Sequence, residues 1–162
     1  MRIIESLDAL RELVGQEVAV SDWMEITQQQ VNQFAEATGD RQWIHVDVER
    51  ARRESPFGAP VAHGFLTLSL LPALMHNALD MPDVKMGVNY GLNKVRFMAP
   101  VPVGSRLRAR VSLLGMEMLP PLQPSPDAPA LSGAQMIWNV TIEREGQERP
   151  VCVAESISRR YS

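Results

Sequence analysis

The chain has 162 residues and a mass of 18.1 kDa, with 45% apolar and 22% charged side chains, the balance of one folded domain rather than of a disordered segment. It has no uncharged apolar run of the ~18 residues that span a bilayer, acids at Glu5 and Asp8 too early for a signal peptide, and a single cysteine, Cys152, which excludes an intrachain disulfide and a multi-cysteine zinc or iron–sulfur site. The net charge of −3 argues against a general nucleic-acid binder, and a reducing cytoplasm is the expected compartment.

Residues 6–14 read as a short helix capped by Ser6, with Leu7, Leu10, Leu13 and Val14 on one face. Residues 16–22 suit a short strand. Thr27 and Gln30 have the spacing of a capping box, in which a hydroxyl and an amide satisfy each other's backbone N–H. The helix they open carries Val31, Phe34, Ala35 and Thr38 on its buried stripe and stops at Gly39. Residues 40–63 read as irregular, apart from a helical turn at 47–53. Gly64 to Leu79 is apolar on nearly every side, the mark of a buried helix, and Pro72 in its middle predicts a bend, because proline removes a backbone donor.

From residue 84 the pattern changes to alternation, over 86–98, 104–116, 131–144 and 150–161. The predicted fold class is α+β: one antiparallel sheet wrapped around one buried helix, in a single domain over 1–162. Residues 118–129 hold five prolines and read as a long loop. Such a sheet keeps open edges, and pairing two of them edge to edge predicts a homodimer. Charge is unevenly spread. Residues 1–83 hold 6 basic and 13 acidic side chains, whereas 84–162 hold 10 basic and 6 acidic. Between Asp83 and Glu117 lie Lys85, Lys94, Arg96, Arg106, Arg108 and Arg110 with no acid. These are either solvated strand faces or candidates for a phosphate-bearing ligand.

Two places carry chemistry. Asp40 and His45 stand five residues apart just past a helix end, where a carboxylate and an imidazole can converge on one water molecule. The plain alternative is a capping aspartate and a histidine in a polar niche. In Ala62-His63-Gly64-Phe65, Gly64 opens the buried helix, so its N–H has no partner within the helix and suits a developing oxyanion. Tight packing at a helix start would also explain this glycine. His63 reads equally as a packed loop residue, and His76 as a rim histidine without a role.

Residues 27–75 resemble the signature of the MaoC-like dehydratases and (R)-specific enoyl-CoA hydratases. The matching pieces are Phe34-Ala35-Glu36-Ala37-Thr38-Gly39-Asp40, Ile44-His45-Val46-Asp47, Pro56-Phe57-Gly58 and Ala62-His63-Gly64-Phe65-Leu66. Val95 to Gly104 is similar to that family's strand–turn–strand segment, and Asn89 to Phe97 looks closest to its NodN-like subgroup. The resemblance covers most of 20–115 and departs from the family at Trp43, at Pro72 and in the proline-rich loop. It implies a hot-dog fold and reversible hydration of a trans-2-enoyl thioester to the (R)-3-hydroxyacyl thioester. Asp40 and His45 would activate water, with Gly64 at the thioester oxygen. His63, Trp43, Leu68, Asn93 and Arg96 are the candidate substrate contacts. No metal or redox cofactor is expected. Coenzyme A or acyl-carrier protein would arrive as part of the substrate, and neither nucleic acid nor membrane is an expected partner. Two alternatives remain: a hot-dog thioesterase, disfavoured because no acid occurs from Phe57 through Leu79, and a silent acyl- or partner-binding module, which needs no Asp40–His45 pair.

Overall fold

The computed structural model describes residues 1–162. In chain order the elements are β1 (Arg2–Ile3), α1 (Leu7–Arg11), β2 (Glu17–Val20), β3 (Met24–Glu25), α2 (Gln28–Thr38), α3 (Trp43–Val46), α4 (Val48–Glu54), α5 (Gly64–Ser69), α6 (Leu71–Ala78), β4 (Leu79–Asp80), β5 (Met86–Phe97), β6 (Arg106–Leu122), β7 (Leu131–Arg144) and β8 (Cys152–Tyr161). The main sheet runs β2-β6-β7-β8-β5 with antiparallel pairings, and β3 joins it on β6. A short parallel pair, β1 with β4, ties the N-terminus to the end of α6.

The alternation read from sequence sets the two faces. Leu107, Ala109, Val111 and Leu113 of β6, Met136, Trp138, Val140 and Ile142 of β7, and Cys152 and Ala154 of β8 are buried against the helices. Leu66, Leu71, Leu74, Met75 and Ala78 of α5 and α6 close the same core. The intervening arginines of β6 lie on the other face, each with a carboxylate: Arg106 with Glu145, Arg108 with Glu143 and Arg110 with Glu17. Half of the candidate phosphate cations are therefore neutralised within the chain.

Three features differ from the sequence reading. The buried helix is two helices: Leu70 ends α5, and Pro72 falls at the start of α6. Proline suits the first turn of a helix, where its missing N–H costs nothing. Residues 40–63 hold the four-residue α3 as well as α4, too short a turn for periodicity to reveal. The strand β6 continues through Pro120 and Pro121 to Leu122, so the connection spans 123–130 rather than 118–129. The two prolines sit in a register irregularity between the Leu119–Gly133 and Leu122–Leu131 pairs, the kind of place where a ladder tolerates a residue without a donor. No helix is long and apolar enough to cross a membrane.

Candidate active site

Asp40, His45 and His63 come together although 23 residues separate the first from the last. The chain reaches this arrangement through α2. Thr27 and Gln30 form the capping box foreseen from their spacing: the Thr27 hydroxyl accepts from the Gln30 N–H, and the Gln30 side chain accepts from the Thr27 N–H. At the other end Gly39 adopts φ 81°, a left-handed turn that favours glycine. The turn folds the chain back, so Asp40 starts the next segment beside α2. Gln28, in the first turn of α2, donates its amide to the His45 carbonyl at 2.8 Å and fixes α3.

The imidazole of His45 is held on the side away from solvent. Its Nδ1 lies 2.6 Å from the Val61 carbonyl, and since a carbonyl only accepts, Nδ1 carries the hydrogen. In the neutral ring Nε2 is then the bare acceptor. The backbone of Val61 is itself fixed, because its N–H donates to the Ile44 carbonyl at 3.0 Å. Burial pushes the His45 pKa below the usual histidine value. The hydrogen bond to Val61 and the charge of Asp40 oppose that shift, and the neighbouring His63 adds to it.

His63 occupies a different place from the substrate contact read from sequence. It is 2% exposed. Its ring stacks on His45 with centroids 3.8 Å apart and packs against Phe34 at 5.0 Å. Its Nε2 donates to the backbone carbonyl of Asp40 at 2.9 Å. His63 therefore supports both members of the pair from behind and offers no surface to a ligand. Its Nδ1 is buried without a partner.

A ring nitrogen from each histidine and a carboxylate oxygen of Asp40 lie within 4.8 Å of one another. The two imidazoles are stacked and 25° from parallel, so their in-plane lone pairs do not converge on one point at the ~2 Å of a metal–nitrogen bond. No direct hydrogen bond joins Asp40 to His45; the Asp40 carboxylate makes only a long 3.5 Å contact with the Gln42 N–H. An exposed carboxylate and a buried base thus lie within 4.8 Å of each other, a separation that one water molecule can bridge.

Gly64 opens α5 directly after His63, and its N–H donates to no carbonyl of the chain. A Cβ here would stand 2.8 Å from the Phe97 ring, so any larger residue would push that ring away. Gly64, Thr67 and Phe97 line a mostly apolar cavity of 330 Å³ with Val61 and Phe57. A second cavity, of 390 Å³, runs between the helices and β5 and is lined by Leu68, Leu71 and Pro72 facing Tyr90 and Leu92. Leu68 thus borders open space. Trp43 is half-buried under the Arg50 guanidinium, 4.3 Å from the ring centroid, and borders neither cavity. Asn93 donates to Glu155, and Arg96 to the Val95 carbonyl, both on the exposed β5 and outside these cavities. The structure thus gathers Asp40, His45 and His63, with Gly64 following His63 directly in the chain, and leaves Trp43, Asn93 and Arg96 elsewhere. Sequence reasoning did not single out Val61, Gln28 or Phe97. The first two act through a carbonyl and an amide that carry no pattern, and Phe97 through proximity to a glycine far away in the chain.

The MaoC like domain family matches residues 10–120. Over 159 residues the chain is 52% identical to 3-hydroxyacyl-thioester dehydratase Z of Mycobacterium tuberculosis, covering 98% of each chain. It is 43% identical over 159 residues to Nodulation protein N of Rhizobium leguminosarum, covering 94% of this chain and 89% of that one. Among solved structures, the (R)-hydratase from A. caviae involved in PHA biosynthesis superposes with a TM-score of 0.66 at 23% identity, over 90% of this chain and 94% of that one. The sheet around paired buried helices is the hot-dog fold. With the fold, the matched span and the relatives in agreement, the chain belongs to the MaoC-like dehydratases, a family of hydro-lyases.

Proposed function

We propose that this protein adds water reversibly across the double bond of a trans-2-enoyl thioester, giving the (R)-3-hydroxyacyl thioester. The observation that carries the reading is the fixed tautomer of His45: its Nδ1–H is bound to the Val61 carbonyl, which leaves Nε2 as the bare base of a ring that lies near the Asp40 carboxylate. In the hydration direction Asp40 orients the water and His45 Nε2 takes one of its protons while oxygen bonds to C3. The π electrons of the double bond move to C2 and the thioester carbonyl, and the same His45–Asp40 pair returns the proton to C2. Negative charge on the carbonyl oxygen is met by the Gly64 N–H. One such donor is typically worth ~10²–10³ in rate. The chain's own groups suffice for every proton movement, so the proposal includes no metal or redox cofactor, and coenzyme A or acyl-carrier protein enters as the carrier of the acyl group. The (R) configuration rests on similarity to the (R)-hydratases. A reducing cytoplasm suits the single buried cysteine, Cys152.

We further propose that the working unit is a homodimer formed along β5. This outer strand pairs with β8 on one side only, and Met86, Val88, Tyr90 and Leu92 along it are exposed.

Crotonyl-CoA tests the reading directly. Hydration removes the enoyl absorbance without releasing thiol. Thiol release with the double bond intact would identify a thioesterase instead, and neither change would point to a binding module.

A further inference from the structure

Along β8 the buried side chains Cys152, Ala154 and Ser156 continue to Ser158 and Arg160, and these two meet the core face at Trp138. Arg160 is therefore an arginine on the inner side of the sheet. The three arginines of β6 each reach a carboxylate at 2.7–3.0 Å. Arg160 forms no ion pair. Its guanidinium donates to Met81 Sδ at 2.8 Å, and thioether sulfur is a weak acceptor. The Trp138 ring, 5.8 Å from the guanidinium carbon, is at the outer limit of a cation–π contact. Arg160 is half-buried, and burial lowers its pKa. A guanidinium has five N–H donors, and withdrawing them from water without an anion is unfavourable.

Arg160 borders a cavity of 370 Å³ with Met75, His76, Asp80, Asn89 and Ser156. This cavity shares Leu71, Pro72, Asn89 and Ser156 with the groove that begins at Leu68. The two are neighbouring cavities that share a wall between the helices and β5. Met75 follows Gly64 by eleven residues, with the break at Leu70 between them, so it lies on the second helix, away from the oxyanion donor. Asp80 is on the cavity wall but outside ion-pair distance of Arg160, and its backbone is tied to β1.

We propose that Arg160 forms an oxyanion subsite in the cavity next to the Leu68 groove. It takes either a carboxylate on the tail of the acyl group or a phosphate of the thioester carrier. The proposal rests on the enoyl-thioester reading above. It adds that the substrate carries a second, anionic anchor at a distance from the reacting carbons.

The test compares Arg160→Met and Arg160→Lys with the unaltered enzyme on three substrates: crotonyl-N-acetylcysteamine, which has no anion; crotonyl-CoA; and a long trans-2-enoyl-CoA ending in a carboxylate. An unaltered enzyme that hydrates none of the three refutes the parent reading and not this one. Arg160→Met is expected to lower kcat/KM about 10- to 100-fold relative to the N-acetylcysteamine ester, the usual loss for a charge-assisted hydrogen bond. Arg160→Lys should restore part of it. A loss confined to the carboxylate-tailed substrate assigns the subsite to the acyl tail, and an equal loss on both coenzyme A esters assigns it to the carrier phosphate. Unchanged substrate ratios would overturn the proposal. So would a drop to monomeric mass in Arg160→Met, which would mean that a second copy supplies the anion. Asp80→Asn with the same loss of thermal stability as Arg160→Met would overturn it too, because Asp80 would then be the true partner.

Discussion

His45 combines two requirements that usually conflict: a base must be available to water, and its tautomer must be fixed. Here the fixing comes from the inner side, through Val61, and leaves the outer nitrogen unpaired. Replacing His45 by Gln or Asp40 by Asn should each lower turnover by ~10²–10⁴, the usual worth of a general acid–base group. The double variant should be little worse than the weaker single one, because both groups act on one water. Steady-state rates on crotonyl-CoA check this, and near-normal turnover of either single variant would refute the assignment. The lowered pKa of His45 gives two pH expectations. Because the bare nitrogen is the base, the acidic limb of kcat/KM should fall below the ~6.5 of an ordinary histidine. The folded chain also binds this proton less readily than the unfolded chain. The stability contributed by neutral His45 is thus present above ~6.5 and is lost as pH falls from there through the lower folded pKa. Thermal melts of the native protein and of His45→Gln across that window should converge on the acidic side. Parallel pH profiles would mean that His45 titrates normally.

At the scale of elements, local signals were legible and distant ones were not. The capping box of Thr27 and Gln30, the stop at Gly39 and the alternation of β6, β7 and β8 each depend on neighbours within a few residues, and all three stand in the structure. The Asp40–His45 spacing was visible for the same reason. The contact of His63 with the Asp40 carbonyl spans 23 residues and has no periodicity to announce it. The break before Pro72 was foreseen as a bend, but its outcome, two helices meeting at Leu70, depends on whether the first turn of α6 can use a proline. That break also separates the roles of two leucines. Leu71 is 6% exposed and, although it touches the channel, packs mainly in the core, whereas Leu68 is half-buried against the channel. Leu71→Ala should destabilise the fold by about 2–5 kcal/mol. Leu68→Ala should cost less stability and move the preference among enoyl-CoA chain lengths toward longer groups. Denaturant melts and a chain-length series separate the two. If the chain-length profile of Leu68→Ala is unchanged, the acyl group does not run along this side of the helices.

At the scale of the whole molecule, the sheet ends in short strands at one edge and in a long one at the other. On one side β6 is covered by β2 and β3 in short lengths, but β5 offers twelve residues of strand with a free edge. Its faces carry exposed Met86, Val88, Tyr90 and Leu92, and Phe97 stands exposed at its end against Phe65. An edge of this length and apolarity invites pairing with another strand, and isolated proteins usually blunt such edges with charge, proline or a bulge. The strand does have register irregularities at Asn89–Gly91 and Leu92–Lys94, but these interrupt its pairing with β8 and leave the outer edge uncovered. Two copies joined along β5 would extend one antiparallel sheet through both subunits, and a twofold axis makes every contact occur twice. The channel bordered by Leu68, Tyr90 and Leu92 would then lie beside the interface. The expected mass by sedimentation at micromolar concentration is twice 18.1 kDa. Lysine at both Val88 and Leu92 places four like charges across the twofold and should shift the equilibrium toward monomer. Because the channel borders that edge, the same variant should lose activity as it dissociates, and activity should return with rising protein concentration. A monomeric native protein, or a lysine variant that stays dimeric with full activity, would place the interface elsewhere.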